Sequence, residues 1–204
     1  MKILLKKATL INDKSVFHNK KVDILIDDGL LSKIDNNIDV KADQLINLEE
    51  LYVSSGWFDP NISFGEPGFE ERETLENGLL TAAKSGFTHV LLNPNTNPKT
   101  STLADVNHLI KSTISQTTKL HISAVLSEKN YGNKMASLYD MHIAGAKAFG
   151  NFNETIINPN ELKIALDYIQ TFDGIIQSYP IDKKLCENGQ IHEGEISVKL
   201  GLKG

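Results

Sequence analysis

The stretch GWFDPNISFGEPGFEERETLENGLLTAAKSGFTHVLLNPN, residues 56–95, contains the pattern that decides the fold. A short apolar run at its start is followed by an amphipathic segment, which predicts a helix over residues 72–85. A second apolar run begins at Gly86. Continuous apolar runs that alternate with helical segments are typical of parallel strands that are buried on both faces of a sheet. The stretch therefore predicts a strand–helix–strand unit.

The same alternation continues along the rest of the chain. About five strands at regular intervals indicate the α/β class, either as the first part of a (β/α)8 barrel or as a doubly wound sheet. The later strands are predicted at 119–127, 145–151 and 174–180, and the later helices at 102–114, 132–143 and 158–171, with shorter helical segments at 182–189 and 193–204.

Residues 1–54 have a different character and predict a small β-rich subdomain, which leaves 55–204 for the β/α part. The run ILLKKATLI, residues 3–11, is interpreted as a pair of short strands. Residues 22–35 predict a hairpin, because Asp28-Gly29 is a strong turn signal between two apolar runs. Residues 45–54 add one or two more strands.

Composition excludes some classes of protein. The 204 residues carry a formal net charge of -5 without a basic cluster, which argues against a nucleic-acid partner. The N-terminus has only a short apolar run, interrupted by Lys6 and Lys7, so we expect no membrane span and no signal peptide. Cys186 is the single cysteine, which fits a reducing compartment. These features predict a cytoplasmic location.

Polar but chemically mild residues follow the predicted strands. Sites in α/β folds form at the carboxyl ends of parallel strands, and none of these ends carries a histidine or a cysteine. Zinc sites require imidazole, thiolate or carboxylate ligands. His89 and His121 fall inside predicted strands, where we expect packed or hydrogen-bonded side chains. The residues at the strand ends include Asp59, Asn61, Ser63, Gly65, Asn93, Asn95, Ser127, Glu128, Asn151, Gln177 and Tyr179.

Several of these motifs, in this order, resemble the dihydroorotase branch of the amidohydrolases. The resemblance is carried by Glu66-Pro67-Gly68, by the run from Pro94 to Pro98, by GAKAFGN at 145–151 and by the segment 178–204. It covers essentially the whole chain. It implies the N-terminal portion of an amidohydrolase-type (β/α)8 TIM barrel, a family that normally binds zinc and hydrolyses cyclic amides in pyrimidine biosynthesis.

The resemblance also marks where this sequence departs from the family. The histidine pair of the family corresponds to Asn61 and Ser63, and its substrate-binding arginine corresponds to Gly65. Its bridging acidic ligand corresponds to Asn151, and its strand-five histidine to Tyr179. Asn95 matches a substrate-binding asparagine. We therefore predict no catalytic residue, no metal ligand and no cofactor, with a vestigial pocket made of Asn61, Ser63, Gly65, Asn95, Asn151 and Tyr179.

Three functional hypotheses follow. The first is a catalytically inactive, dihydroorotase-like protein with a structural or partner-binding role. The alternative is an active zinc-dependent dihydroorotase, converting N-carbamoyl-L-aspartate to dihydroorotate, with ligands supplied by another chain. The third is a pocket that binds a small carboxylate or amide without turnover. Family members are longer than this chain, so we expect an oligomer or another protein, for which aspartate transcarbamoylase is the candidate, to cover the open barrel edge.

Overall fold

A computed structural model describes residues 1–128, 134–156, 158–182, 184, 186 and 189–203. The contacts of the chain divide it into two units, Met1–Gly56 and Trp57–Gly204. Of the helical segment predicted over 182–189, residues 183, 185, 187 and 188 lie outside the described residues. Among the described residues, none of the helices has the length and apolar character that a membrane-spanning segment needs.

The first unit is a five-stranded sheet. Its long first strand pairs antiparallel with the second strand and parallel with the fourth and fifth. The predicted hairpin is confirmed, and its turn places Asp28 and Gly29 at φ 49° and 79°, as a two-residue hairpin turn requires. The strands are β1 (Lys2–Ile11), β2 (Lys21–Asp27), β3 (Leu30–Asp35), β4 (Gln44–Ile46) and β5 (Tyr52–Ser54).

The prediction of two short strands in residues 3–11 is wrong, because β1 is one strand with a bulge. Its pairing register shifts between Leu5 and Ala8. The buried carboxylate of Asp23 accepts hydrogen bonds from Lys7 N at 3.0 Å and from Lys6 Nζ at 2.6 Å. Burial alone would raise the pKa of Asp23, but Lys6 and the backbone N–H groups hold it below its usual value. Because Asp23 binds both lysines at the bulge, the strand continues through Lys6 and Lys7 without a turn.

In the part of the second unit that the structure describes, five parallel strands form a sheet in the order β10-β9-β8-β7-β6. Because this order follows the chain without reversing, it is the order of a barrel and not of a doubly wound sheet. The strands are β6 (Trp57–Ile62), β7 (Phe87–Leu92), β8 (Lys119–Ala124), β9 (Ala148–Phe149) and β10 (Ile175–Ile176), and the helices are α1 (Leu75–Lys84), α2 (Leu103–Thr113), α3 (Leu138–Ala144), α4 (Pro159–Ile169) and α5 (Glu195–Leu200).

Local sequence explains where the longer helices begin. Thr74 caps α1 by accepting from Asn77 N, and Thr102 and Asp105 form a reciprocal capping box on α2. Asn158 caps α4 ahead of Pro159. Each cap satisfies a backbone N–H that has no partner within the helix.

The predicted helix over 132–143 is too long at its start. Residues 132 and 133 lie outside the described part of the chain, and α3 begins only at Leu138. Met135 instead forms an isolated antiparallel bridge with Ser127. Glu128 N donates to the carbonyl of Lys134, and Ala136 N donates to that of Leu126. These backbone hydrogen bonds hold the segment against the end of β8 and exclude a helix there.

The two faces of the parallel sheet carry different side chains. On one face, Val90, Leu92, Ile122 and Phe149 belong to an apolar cluster that the helices cover. Every second strand residue points to the opposite face, where the ring of His121 contacts the rings of Phe58 and His89. Within the described residues, the helices therefore pack against the apolar face of the sheet.

Candidate functional site

The end of β6 and the end of β7 are joined by pairs of polar side chains. Asn93 Nδ2 donates to Asn61 Oδ1 at 2.7 Å. Two residues further along the chain in each case, just beyond the strands, Asn95 Nδ2 donates to Ser63 Oγ. The guanidinium of Arg72 donates to the same Ser63 oxygen at 3.1 Å. We call the three residues Ser63, Asn95 and Arg72 the Ser63 cluster.

The hydroxyl of Ser63 is the centre of this cluster. A serine oxygen has two acceptor lone pairs, and here it accepts from Asn95 and from Arg72. Arg72 is the only arginine in the sequence. Its side chain is exposed, whereas Ser63 and Asn95 are partly buried. The one permanently charged group of the cluster is therefore a cation that borders on solvent.

The end of β6 and the loop after it are held by their own acidic residues. Asp59 Oδ1 accepts from Asn61 N at 2.9 Å, and Glu66 Oε2 accepts from Leu75 N at 2.7 Å, at the start of α1. Glu70 Oε1 accepts from Gly68 N at 2.8 Å, which lowers the pKa of this carboxyl group. The carboxylates near the strand end thus bind backbone N–H groups.

Gly65 is confined by the same loop. A Cβ atom on Gly65 would lie 2.3 Å from the carbonyl oxygen of Phe69 and 3.3 Å from Arg72 Cβ. The first separation is a clash with backbone, so this loop conformation has no room for a side chain at position 65. The guanidinium in this region comes from Arg72, seven positions later in the sequence.

Asn95 has one polar atom without a partner. Its Oδ1 is inaccessible to solvent and accepts no hydrogen bond. Buried carbonyl oxygens of this kind are uncommon, because loss of hydration without a replacement hydrogen bond costs about 1–3 kcal/mol. The Ser63 cluster therefore combines a partly used guanidinium with an unsatisfied acceptor.

Asn151 lies outside this cluster. It is buried, and its Oδ1 accepts from the backbone N–H groups of Leu126 and Ser127, each at 3.2 Å. Its Nδ2 donates to Ser127 Oγ at 3.1 Å. The side chain therefore fixes the chain that leaves β8, and its amide oxygen is already shared between two donors.

Tyr179 and Gln177 follow β10 but differ in their contacts. Gln177 Oε1 accepts from Ser123 Oγ at 2.6 Å, and its Nε2 donates to the carbonyl of Pro60 at 3.3 Å. One side chain thus links the residues after the fifth parallel strand to the first parallel strand. No hydrogen bond joins the phenol of Tyr179 to Asn61 or to the Ser63 cluster within the described residues.

Sequence reasoning placed Asn61, Ser63 and Asn95 at neighbouring strand ends, and the structure brings these three together. It did not assign Arg72 or Gln177 to the site. Arg72 was predicted as part of a helix, although its being the only arginine was a usable signal. Gln177 was noted at the end of a strand, but nothing in the sequence indicated that it reaches β6.

The described residues offer no ready metal centre. Across 1–128, 134–156 and the later described positions, no group of three or more histidine, cysteine, aspartate or glutamate residues is placed to hold a metal ion. Glu128, the acidic residue after β8, forms an ion pair with Lys134 at 2.8 Å.

Comparison with known families identifies the class of protein. A family model described as "Dihydro-orotase-like" matches residues 53–204, which is most of the chain. The chain belongs to the dihydroorotase-like family.

Two bacterial relatives illustrate the match. A dihydroorotase of Ruminiclostridium cellulolyticum is 32% identical over 205 residues, covering 100% of this chain and 48% of the relative. A dihydroorotase of Pelotomaculum thermopropionicum is 29% identical over 204 residues, with the same two coverages. The chain spans about half the length of the curated relatives it matches.

Solved structures support the fold. An L-hydantoinase from Arthrobacter aurescens matches with a TM-score of 0.69 and 21% identity, over 85% of this chain and 39% of that one. A D-hydantoinase from a Thermus species matches with a TM-score of 0.62 and 15% identity, over 98% of this chain and 43% of that one. The predicted fold, the N-terminal portion of an amidohydrolase TIM barrel, is confirmed.

Proposed function

We propose that this protein is a dihydroorotase-like member of the pyrimidine biosynthesis family that lacks a metal-dependent hydrolase centre in its own described residues. Its role is structural or partner-binding. The observation that carries this proposal is the Ser63 cluster, in which neutral side chains and one cation occupy the strand ends where a metal site would need anionic or imidazole ligands.

The donor set does not fit a zinc ion. Zinc in proteins is held by thiolate, imidazole or carboxylate groups, whereas Asn61 and Ser63 supply an amide and a hydroxyl. The carboxylates of Asp59 and Glu66 accept hydrogen bonds from backbone N–H groups. The guanidinium of Arg72 lies at hydrogen-bond distance from Ser63 and repels a cation.

Exposed apolar side chains on the edge strands support a partner-binding role. Within the described residues, β6 pairs only with β7, and β10 pairs only with β9. Trp57 on β6 and Ile175 on β10 are each 60% exposed. Open strand edges are ready templates for further pairing. A second copy or another protein chain fits them, and aspartate transcarbamoylase remains the candidate partner.

The alternative is an active dihydroorotase, converting N-carbamoyl-L-aspartate to dihydroorotate. Family membership and the relatives named dihydroorotase favour it. It requires metal ligands from outside the described residues or from another chain.

A third role, ligand binding without turnover, is favoured by one observation. The unpartnered Asn95 Oδ1 needs an N–H donor, and the remaining N–H groups of Arg72 can bind a carboxylate. A small molecule with both an amide and a carboxylate would satisfy both. This role is compatible with a non-catalytic protein.

The test is metal content and turnover measured on the same sample. The full chain is purified without chelator and analysed by mass spectrometry for metals, and dihydroorotate hydrolysis is assayed with and without added zinc. The Ruminiclostridium cellulolyticum dihydroorotase, purified in parallel, is the matched control.

We expect far less than one metal ion per chain and no turnover, while the control binds zinc and is active. Stoichiometric zinc with turnover in this protein would overturn the proposal and establish the alternative. Dihydroorotate binding by calorimetry, with no turnover and with loss of binding in Arg72→Gln, would establish the third role.

A further inference from the structure

Two histidines on neighbouring strands share a hydrogen bond outside the candidate site. His89 Nδ1 and His121 Nε2 lie 3.0 Å apart. The ring centroids are 5.2 Å apart and the ring planes differ by only 17°. The centroids are farther apart than the two facing nitrogens by nearly twice the distance from the centre of an imidazole ring to one of its nitrogens. The two nitrogens therefore lie almost on the line between the centroids, and the rings meet edge to edge. This is the geometry of an in-plane N–H···N hydrogen bond.

The pair lies on the face of the sheet that the helices do not cover. His89 is exposed and His121 is partly buried. Phe58 on β6 packs its edge against His121, with centroids 6.1 Å apart and an interplanar angle of 86°. The bond therefore joins β7 to β8 through side chains, in addition to their backbone ladder.

The number of protons on the pair decides whether this bond exists. A neutral imidazole has one N–H and one bare nitrogen, so two neutral rings can share one hydrogen between the facing nitrogens. A single added proton leaves one ring neutral and able to accept. When both rings are protonated, both facing nitrogens carry hydrogen and the bond is lost.

The charged surroundings oppose that second proton. Burial lowers the pKa of His121, and the charges of His89, Lys119 and Lys147 lower it further. Lys119 lies on β8, and Lys147 immediately precedes β9. Phe58, from β6, is uncharged. The charges that act on His121 among the described residues are all positive, so none compensates a second imidazolium.

We propose that His89 and His121 form a proton-sensitive clasp, which holds β7 to β8 on the open face of the sheet at neutral pH and releases in mild acid. The inference is independent of the proposed function, because it uses no residue of the candidate site.

The direction of the pH effect follows from linkage. The unfolded chain binds a proton on His121 near its ordinary pKa of about 6.5, and the folded chain binds it less readily. The clasp therefore contributes its full stability above that pH. Its contribution falls as the pH drops below about 6.5, toward the lowered pKa of the folded state.

The experiment compares urea unfolding of the full chain at pH 7.5 and pH 5.0 for three proteins: the wild type, His121→Gln and His108→Gln. Glutamine retains hydrogen-bonding capacity on β8 but does not titrate. His108→Gln is the control, because it also removes one histidine but at an exposed position on α2. Nitrogen-15 NMR of the wild-type imidazoles over the same pH range reports which ring nitrogens carry hydrogen.

We expect acidification to lower the folded-to-unfolded ratio of the wild type and of His108→Gln. The ratio of His121→Gln should fall by a factor that is smaller by more than about twofold, a difference that paired unfolding curves resolve. The NMR spectrum at pH 7.5 should show one bare and one protonated facing nitrogen. Equal pH dependence in all three proteins, or independent titration of the two rings, would overturn the clasp. If His121→Gln does not fold, the wild-type NMR titration decides alone.

Discussion

The two faces of the parallel sheet differ in what holds them. On the helix-covered face, Phe149, Ile122 and Leu79 are at most 1% exposed and belong to one apolar cluster. On the other face, side chains are joined by polar contacts, such as that of Ser123 with Gln177 at 2.6 Å. Burial of apolar area stabilises the first face, whereas hydrogen bonds and ring contacts organise the second. The apolar residues that form the packed core therefore belong to one face, and the polar and ring contacts belong to the other.

The largest expected difference is between two phenylalanines. Phe149→Ala on the helix-covered face should cost about 3–5 kcal/mol, because it removes a fully buried ring and leaves a cavity. Phe58→Ala on the opposite face should cost about 1 kcal/mol or less, since that ring is 52% exposed. Chemical denaturation measures both. Equal losses would mean that the second face is also buried in solution, by a partner chain.

The Asn151 side chain is a polar element at the edge of the packed region. Asn151→Ala leaves the N–H groups of Leu126 and Ser127 without their acceptor, so we expect a loss of about 2–3 kcal/mol in the free energy of unfolding. Asn153→Ala, at an exposed position two residues later, is the control and should change little. An unchanged midpoint for Asn151→Ala would show that solvent replaces this acceptor.

Glu161 is an exception on the helix side. It is 7% exposed, and neither carboxylate oxygen has a hydrogen-bond partner. Because an unpaired buried carboxylate is costly, Glu161→Met should raise the free energy of unfolding by about 1–2 kcal/mol. Glu76, in the first turn of α1, is exposed, so Glu76→Met is the matched control. Destabilisation by Glu161→Met alone would indicate that the carboxylate has a partner in solution.

The smallest effect is expected in the candidate site. Ser63→Ala removes the oxygen that Asn95 and Arg72 share, but Arg72 is exposed and Asn95 is only partly buried. We expect a change below about 1 kcal/mol in thermal or chemical unfolding, the usual size for a partly exposed hydrogen bond. A much larger loss would show that the Ser63 cluster is a structural element of the barrel end.

The strand–helix alternation was predictable, because short, mainly apolar runs alternate with amphipathic segments and the longer helices carry their own caps. The extents of β9 and β10 were overestimated, since the sequence runs there are seven residues long and the strands are Ala148–Phe149 and Ile175–Ile176. The start of α3 was also wrong. Residues 134–136 instead pair with residues 126–128, just after β8, a contact that local periodicity does not report.

The sequence by itself determined the family, the parallel β/α order and the neutral identity of Asn61, Ser63 and Asn151 near the strand ends. These follow from residue identity and from short-range periodicity. Only the tertiary structure decided that Arg72 meets Ser63, that Asn151 serves the chain after β8, and that His89 and His121 share one hydrogen bond. The first contact depends on the conformation of the loop after β6. The other two depend on how neighbouring strands align, which brings together side chains that are distant in the sequence.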